Sequence, residues 1–249
     1  MNEKNKTKAG LIKFGAFEHM QSFYEKGEMY LNSFKFFKDL ESSADGRGDK
    51  NEYSSVHYSG DYLKKYIKLE LKEEKSGTVI PLSADTGLLS LTLDYGNDKE
   101  YSHLYSMSYI DKTWTLENDL IIDTRNFAEN KDYAVLIYDF QGFVDKVIEK
   151  VKELNLSCKA QCVEYVNKKN YSGEMGPFRK FDDYQYQNEF RIAINFGTLE
   201  PQLIYLGSLK DVASRPMNYE EFYKVSCVFQ HEENGVITKK EITNQKAFA

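Results

Sequence analysis

Polar and apolar residues alternate one for one along several stretches of this chain, and in two places they recur at helical spacing. An extended strand points successive side chains to opposite faces, so alternation predicts a half-buried strand. From Tyr66 to Leu71, Ile67, Leu69 and Leu71 oppose Tyr66, Lys68 and Glu70. From Tyr101 to Ile110, one face carries Tyr101, His103, Tyr105, Met107 and Tyr109, and the other Ser102, Leu104, Ser106, Ser108 and Ile110. From Tyr184 to Phe196, Tyr184, Tyr186, Phe190, Ile192, Ile194 and Phe196 face one way; Gln185, Gln187, Glu189, Arg191 and Asn195 face the other. Shorter strands are predicted at 10–14, 29–31, 78–82, 88–93, 158–166, 203–206 and 225–229, with Gly235 turning the last hairpin. Tyr133 to Tyr138 is apolar on both faces, as in a central strand.

Helices are fewer. Phe143, Val144, Val147, Ile148, Val151 and Leu154 form one apolar stripe, which predicts the clearest helix. A second is predicted from Ala16 to Lys26, ended by Gly27 as a C-cap, and a short aromatic helix or turn from Ser33 to Leu40. Many strands and few helices, without regular βαβ alternation, predict an α+β fold of mostly antiparallel sheet with a few packed helices. Residues 1–9 read as a disordered lead and 10–249 as a single globular domain.

Composition adjusts this picture in three ways. Tyr 19 and Phe 16 against Trp 1 suit a strand-rich chain. A net charge of -6 argues against strong binding to duplex DNA, which needs a basic face. Three cysteines (Cys158, Cys162, Cys227) make no disulfide framework, and no apolar run approaches membrane-helix length. The charged start MNEKNKTKA lacks the apolar core of a signal peptide. Together these predict a cytoplasmic protein.

Candidate chemistry gathers at four places. Side-chain period two sets Glu189 and Arg191 side by side, where with Gln187 they could hydrogen-bond hydroxyls and phosphates of a ligand or form a structural ion pair. The preceding stretch, 167–183, reads as a long polar loop containing Arg179 and Lys180, either a binding loop or a surface excursion. In ADGRGDKN, Arg47 and Lys50 stand among glycines, where they could approach a phosphate or simply line an exposed turn. Asp61, Glu70 and Lys72 have the residue types of a metal-dependent nuclease, and equally of a solvated strand. No spacing predicts a tetrahedral metal site.

The segments LIKFGAFEHMQSFYEKGEMYLNSFKFFKDLE, RGDKNE, HLYSMSYI, GPFRKFDDYQYQNEFRIAI and LIYLGSLKDV, taken in order, resemble a broad family of bacterial and phage proteins of unassigned activity. That resemblance spans roughly 13–212. It carries no activity with it; in a phage or mobile-element setting the expectation is a component of phage defence or counter-defence that binds a host or phage protein, or a nucleotide-type small molecule. The opening strand and helix, with the late glutamate at a strand start, also faintly resemble ADP-ribosyltransferases. This second resemblance implies NAD as the substrate, Glu189 as the catalytic carboxylate, Lys13 or Arg47 at a phosphate, and Tyr30 stacked on nicotinamide. Ser106 and Ser108 faintly resemble that family's Ser-Thr-Ser strand, and the first strand lacks the family's His or Arg.

Overall fold

The computed structural model describes residues 10–41, 54–66, 69–72, 75–82, 90–93, 102–110, 132–224, 226–233 and 236–243. The chain opens with strand β1 (Gly10–Gly15), helix α1 (Phe17–Lys26), β2 (Glu28–Ser33) and α2 (Phe34–Glu41). Next come β3 (Val56–Ser59), the one-turn α3 (Gly60–Leu63), β4 (Leu69–Lys72), β5 (Val79–Leu82), β6 (Ser90–Leu93), β7 (Ser102–Ile110) and β8 (Tyr133–Ile137). Helix α4 (Phe140–Glu153) leads to β9 (Cys158–Cys162), β10 (Glu164–Val166), β11 (Ser172–Glu174), β12 (Arg179–Phe181), a 3-10 helix (Asp182–Gln187) and β13 (Glu189–Asn195). The last elements are β14 (Gln202–Tyr205), β15 (Met217–Asn218), α5 (Tyr219–Tyr223), β16 (Ser226–Glu233) and β17 (Val236–Thr243).

Helices mixed with predominantly antiparallel strands make this an α+β protein. The main sheet runs β14-β2-β7-β1-β8-β15, with β13 and β9 continuing from the other edge of β7. On its first edge β7 is shared. β2 pairs with its start, Asn32 opposite Leu104, and β1 with its end, Ile12 opposite Ser108. The sheet therefore splits along β7 between those two contacts.

Cross-strand partners share a face, so the register sorts the side chains. One face carries Leu11, Met29, Leu31, Tyr105, Met107, Val135, Ile137, Phe190, Ile192 and Ile194, all buried in one cluster with Met20 and Phe23 of α1 and Phe143, Val147 and Val151 of α4. Phe23 sits 5.9 Å from the Tyr105 ring and 6.2 Å from the Phe143 ring, joining both helices to the sheet. The predicted stripe of α4 thus meets the predicted Tyr105 face of β7. The opposite face is covered in patches. Ile12, Ile110 and Ala134 pack against Phe222 of α5, and Leu104 packs against Phe34 of α2. Between these apolar patches lie Ser106 and Ser108 on β7, opposite Arg191 and Glu189 on β13.

Helix α1 ends as predicted. Gly27 adopts φ 62 and donates its N–H to Phe23 O at 2.9 Å. The structure corrects the sequence in three places. Tyr184 to Phe196 is not one strand: 182–187 coil as a 3-10 helix, and Asn188 takes φ 41 before the strand starts at Glu189. The left-handed residue breaks the period-two count, so Gln185 and Gln187 do not continue the Glu189–Arg191 row. Stretch 158–166 divides at Val163, whose N–H reaches Glu189 O at 2.8 Å while Glu164 N–H turns to Phe178 O at 2.9 Å. Stretch 167–183 is no open loop. β11 joins β3, β12 pairs in parallel with β10, and Met175, Phe178 and Phe181 are buried. The ADGRGDKN stretch and Gly235, and the first residues of several predicted strands, lie outside the described residues.

His57 on β3 fastens this strap. Its Nε2 stands 2.9 Å from Lys168 O and its Nδ1 3.0 Å from Thr92 Oγ1, with the Phe181 ring at 4.8 Å. A carbonyl only accepts, so Nε2 carries the proton and Nδ1 accepts from the threonine hydroxyl. Burial holds the imidazole below its usual value of 6.5, partly opposed by the Lys168 carbonyl. The unfolded chain therefore binds the extra proton first. His57's contribution is complete above pH 6.5 and is lost as pH falls towards the lower folded value. A thermal melt series from pH 8 to 5 should show the wild type losing more stability than His57→Gln across this window. Parallel curves would mean that His57 stays neutral or solvated in both states.

Candidate functional site

Three strands place the site. β7 supplies Ser106 and Ser108, β13 supplies Arg191 and Glu189 directly across from them, and β9 sets Gln161 on the far side of Arg191. The left-handed Asn188 fixes where β13 begins. Its side-chain amide donates to Tyr109 O, and its own carbonyl accepts the Tyr109 N–H at 2.7 Å. Glu189 is thereby anchored as the first residue of the strand, and its backbone N–H donates to the Tyr165 hydroxyl of β10 at 2.9 Å.

The Glu189 carboxylate lies between two cations. Arg191 Nε donates to Oε2 at 2.6 Å, and Lys180 Nζ donates to Oε1 at 2.9 Å. Lys180 comes from β12, inside the strap, and also donates to Gln187 Oε1 at 2.8 Å. A second guanidinium nitrogen of Arg191 reaches Pro177 O at 2.8 Å. Side-chain exposures are 5% for Lys180, 12% for Glu189 and 1% for Arg191, so the network is almost dry. Burial alone would raise the Glu189 carboxyl, but Arg191 and Lys180 more than offset it and hold it down at about 2. The carboxylate therefore stays ionised throughout the physiological range. Burial, with the Glu189 charge adding to it, pushes the Tyr165 hydroxyl far above its usual range.

Two more features lie at the split in the sheet. Lys13 of β1 extends its Nζ to Ser106 O at 2.8 Å, 4.0 Å from the Tyr105 ring centre. It occupies a backbone acceptor on the edge of β7 between its contacts with β1 and β2. Asn32, next to last on β2, shares the face of Leu104 and Ser106, and its Oδ1 is buried with no hydrogen-bond partner. No other buried side-chain oxygen or nitrogen among the described residues is left so. The chain matches no protein-family model, no curated protein and no solved structure. The resemblances noted from sequence therefore rest on the quoted motifs alone.

Of the residues singled out from sequence, Glu189, Arg191 and Gln187 meet in one network, and Lys13 reaches the neighbouring strand. Arg179 does not join them. Alternation on β12 turns it towards Glu164 at 2.6 Å and Glu174 O at 2.8 Å while Lys180 points inward. Tyr30 is 57% exposed on β2, cross-strand from Leu203. Arg47 and Lys50 lie outside the described residues. The nuclease set stays dispersed in role: Asp61 pairs with Lys64 at 2.9 Å on the surface, and Glu70 and Lys72 are exposed on β4. Among the described residues no group of His, Cys, Asp or Glu is placed to hold a metal, and no helix is long and apolar enough to cross a membrane. Sequence reasoning missed Asn32 and Tyr165. Asn32 lies in the quoted segment that opens LIKFGAFEHM but is not singled out within it, and Tyr165 lies in none of the quoted segments; both matter through strand pairing.

Proposed function

We propose that this protein binds a small molecule of nucleotide type on the sheet face between Asn32 and Glu189, as a capture component of phage defence or counter-defence. The observation that carries this is the orphaned Asn32 Oδ1. A buried acceptor without a donor costs about 1–3 kcal/mol, and folded proteins rarely tolerate one unless a ligand or water completes it. A nucleobase amino group or a ribose hydroxyl is a donor of the right kind. Serine hydroxyls at 106 and 108 lie along the same face, and the site sits between two apolar patches that would shield it.

The test is a thermal-shift and calorimetric screen against NAD, ADP-ribose, ATP and cyclic nucleotides, using wild type and Asn32→Leu. The leucine removes the unmet acceptor at similar volume, so the ligand-free variant should be more stable by about 1 kcal/mol. A ligand at 100 times its dissociation constant should stabilise the wild type by about 2.7 kcal/mol, and the variant far less. No shift with any ligand, or equal shifts in both proteins, would sink the proposal.

A second reading, an NAD-using ADP-ribosyltransferase, is favoured by one specific observation. The strands it requires are neighbours in order: Ile12 of the first strand pairs with Ser108, which pairs with Glu189. In that reading the ionised Glu189 would accept a hydrogen bond from a ribose hydroxyl. It would also stabilise the positive charge that builds on the ribose as its bond to nicotinamide breaks. Release of nicotinamide from NAD by the wild type, lost in Glu189→Gln protein shown to be folded, would select this reading. NAD binding without turnover would leave the capture reading in place.

A further inference from the structure

We propose that the protein forms a two-fold dimer through strand β14, by antiparallel pairing of Gln202–Tyr205 with the same strand of a second copy. β14 ends the strand path of the main sheet, with β2 on its inner side. Its hydrogen-bonding direction is fixed by Leu206, whose N–H donates to Gly27 O at 3.1 Å on that inner side. Antiparallel strands alternate the direction of their backbone groups. Ile204 and Gln202 therefore address β2, while Leu203 and Tyr205 turn their N–H and C=O outward. The exposed side chains match this open edge: Leu203 and Tyr205 are each 45% exposed and stand beside Tyr30 at 57%.

An exposed edge of this kind is a template for pairing with another strand, and natural edges are commonly blunted by short length, a lysine, an inward charge or a proline. β14 is short and follows Pro201. From Gln202 to Gly207 the sequence is QLIYLG, with no charge and no proline. The strand is also complementary to itself. A two-fold axis at Ile204 sets Leu203 opposite Tyr205 of the second copy, and Tyr205 opposite its Leu203. Both are outward-facing residues, so each pair can exchange two backbone hydrogen bonds, as an antiparallel narrow pair requires. The same register places leucine against tyrosine on the exposed face, with Tyr30 of each copy beside the pair. Aliphatic–aromatic neighbours of this sort stabilise antiparallel strands, and a self-complementary patch is the usual basis of a two-fold dimer. The dimer does not rest on the ligand reading above: it is argued from the edge of β14 and Tyr30, and uses neither Asn32 nor the Glu189 network.

Sedimentation velocity of the full chain, from micromolar to submillimolar concentration, tests the proposal. The wild type should move towards twice the mass of one chain as concentration rises. Leu203→Pro deletes one outward N–H without removing a bond to β2, and Leu203→Lys sets a charge at the pair; both should remain at single-chain mass. Circular dichroism keeps the test fair. If the proline variant does not fold, the lysine variant decides. A wild type that stays at single-chain mass at every concentration would overturn the proposal, leaving the edge to a different partner. So would doubling that persists in folded variants.

Discussion

Replacing Glu189 with glutamine is expected to lower folding stability by on the order of 3–5 kcal/mol, read from the denaturant midpoint at neutral pH. The amide has nearly the carboxylate's shape and can still accept one hydrogen bond, so packing changes little. The charge is what is lost. Lys180 and Arg191 are held at 5% and 1% side-chain exposure, and the carboxylate between them takes a short bond from each. In the variant, both buried cations lose the carboxylate that each of them bonds, and water cannot readily enter to replace it. Replacing all three together (Lys180→Met, Glu189→Leu and Arg191→Met) should recover much of the loss, because a packed apolar trio needs no charge compensation. A cost below about 1 kcal/mol for the single substitution would mean that solvent reaches the network, as it does in surface pairs.

The same network fixes the acid limb of the stability curve. The folded Glu189 carboxyl lies at about 2 against an ordinary 4.5, so the unfolded state takes up the proton first as pH falls. Its contribution is complete above pH 4.5 and disappears as pH approaches about 2. The gap between wild type and Glu189→Gln should therefore be constant from neutral pH down to about 4.5 and close below it.

How much of this was legible beforehand depends on whether local pattern or long-range pairing decides each element. Tyr105 and Met107 of the Tyr101–Ile110 run and Phe143, Val147 and Val151 of the helical stripe are core residues in the fold, while Ile148 and Leu154 of that stripe are exposed and Leu104 and Ile110 bury the other face of β7. The run from Tyr184 to Phe196 has an equally regular pattern but is interrupted, because Asn188 enters the left-handed region to bond Tyr109 across to β7. Nothing in a polar–apolar count marks that residue. Glu189 and Arg191 were legible as neighbours; their burial was not. The strap over them is made of three-residue strands, of which β11 finds its partner far away in sequence, Ser172 opposite Tyr58 on β3. Lys180 and Arg179 look alike in the sequence, and only the β10–β12 register separates the cation that enters the site from the one that pairs with Glu164. Asn32 lies inside a quoted segment, but nothing there marks its Oδ1 as unmet, since an unmet hydrogen bond is a property of surroundings.

Gly27→Ala is expected to lower stability by on the order of 3 kcal/mol, and the reason is more than its role as a helix cap. The left-handed conformation at φ 62 disfavours any residue with a Cβ by about 1–2 kcal/mol. A Cβ at that position would also stand 2.4 Å from Gly207 O and 2.7 Å from Leu206 Cβ. The first of these is backbone, so the strand that crosses the end of α1 must move to accommodate it. That strand is β14, and Gly27 O accepts its Leu206 N–H. The cap and the edge of the sheet are thus one structure, and a single methyl group strains both. Gly207 supplies the control. It too is left-handed, at φ 81, but a Cβ there would meet nothing within 4 Å. Gly207→Ala should therefore show the conformational cost alone, about 1–2 kcal/mol. Thermal or denaturant unfolding of the two variants side by side separates the terms. A Gly27→Ala loss clearly larger than that of Gly207→Ala places the excess in the crossing of β14. Equal losses would mean that the strand yields freely and only the left-handed backbone matters.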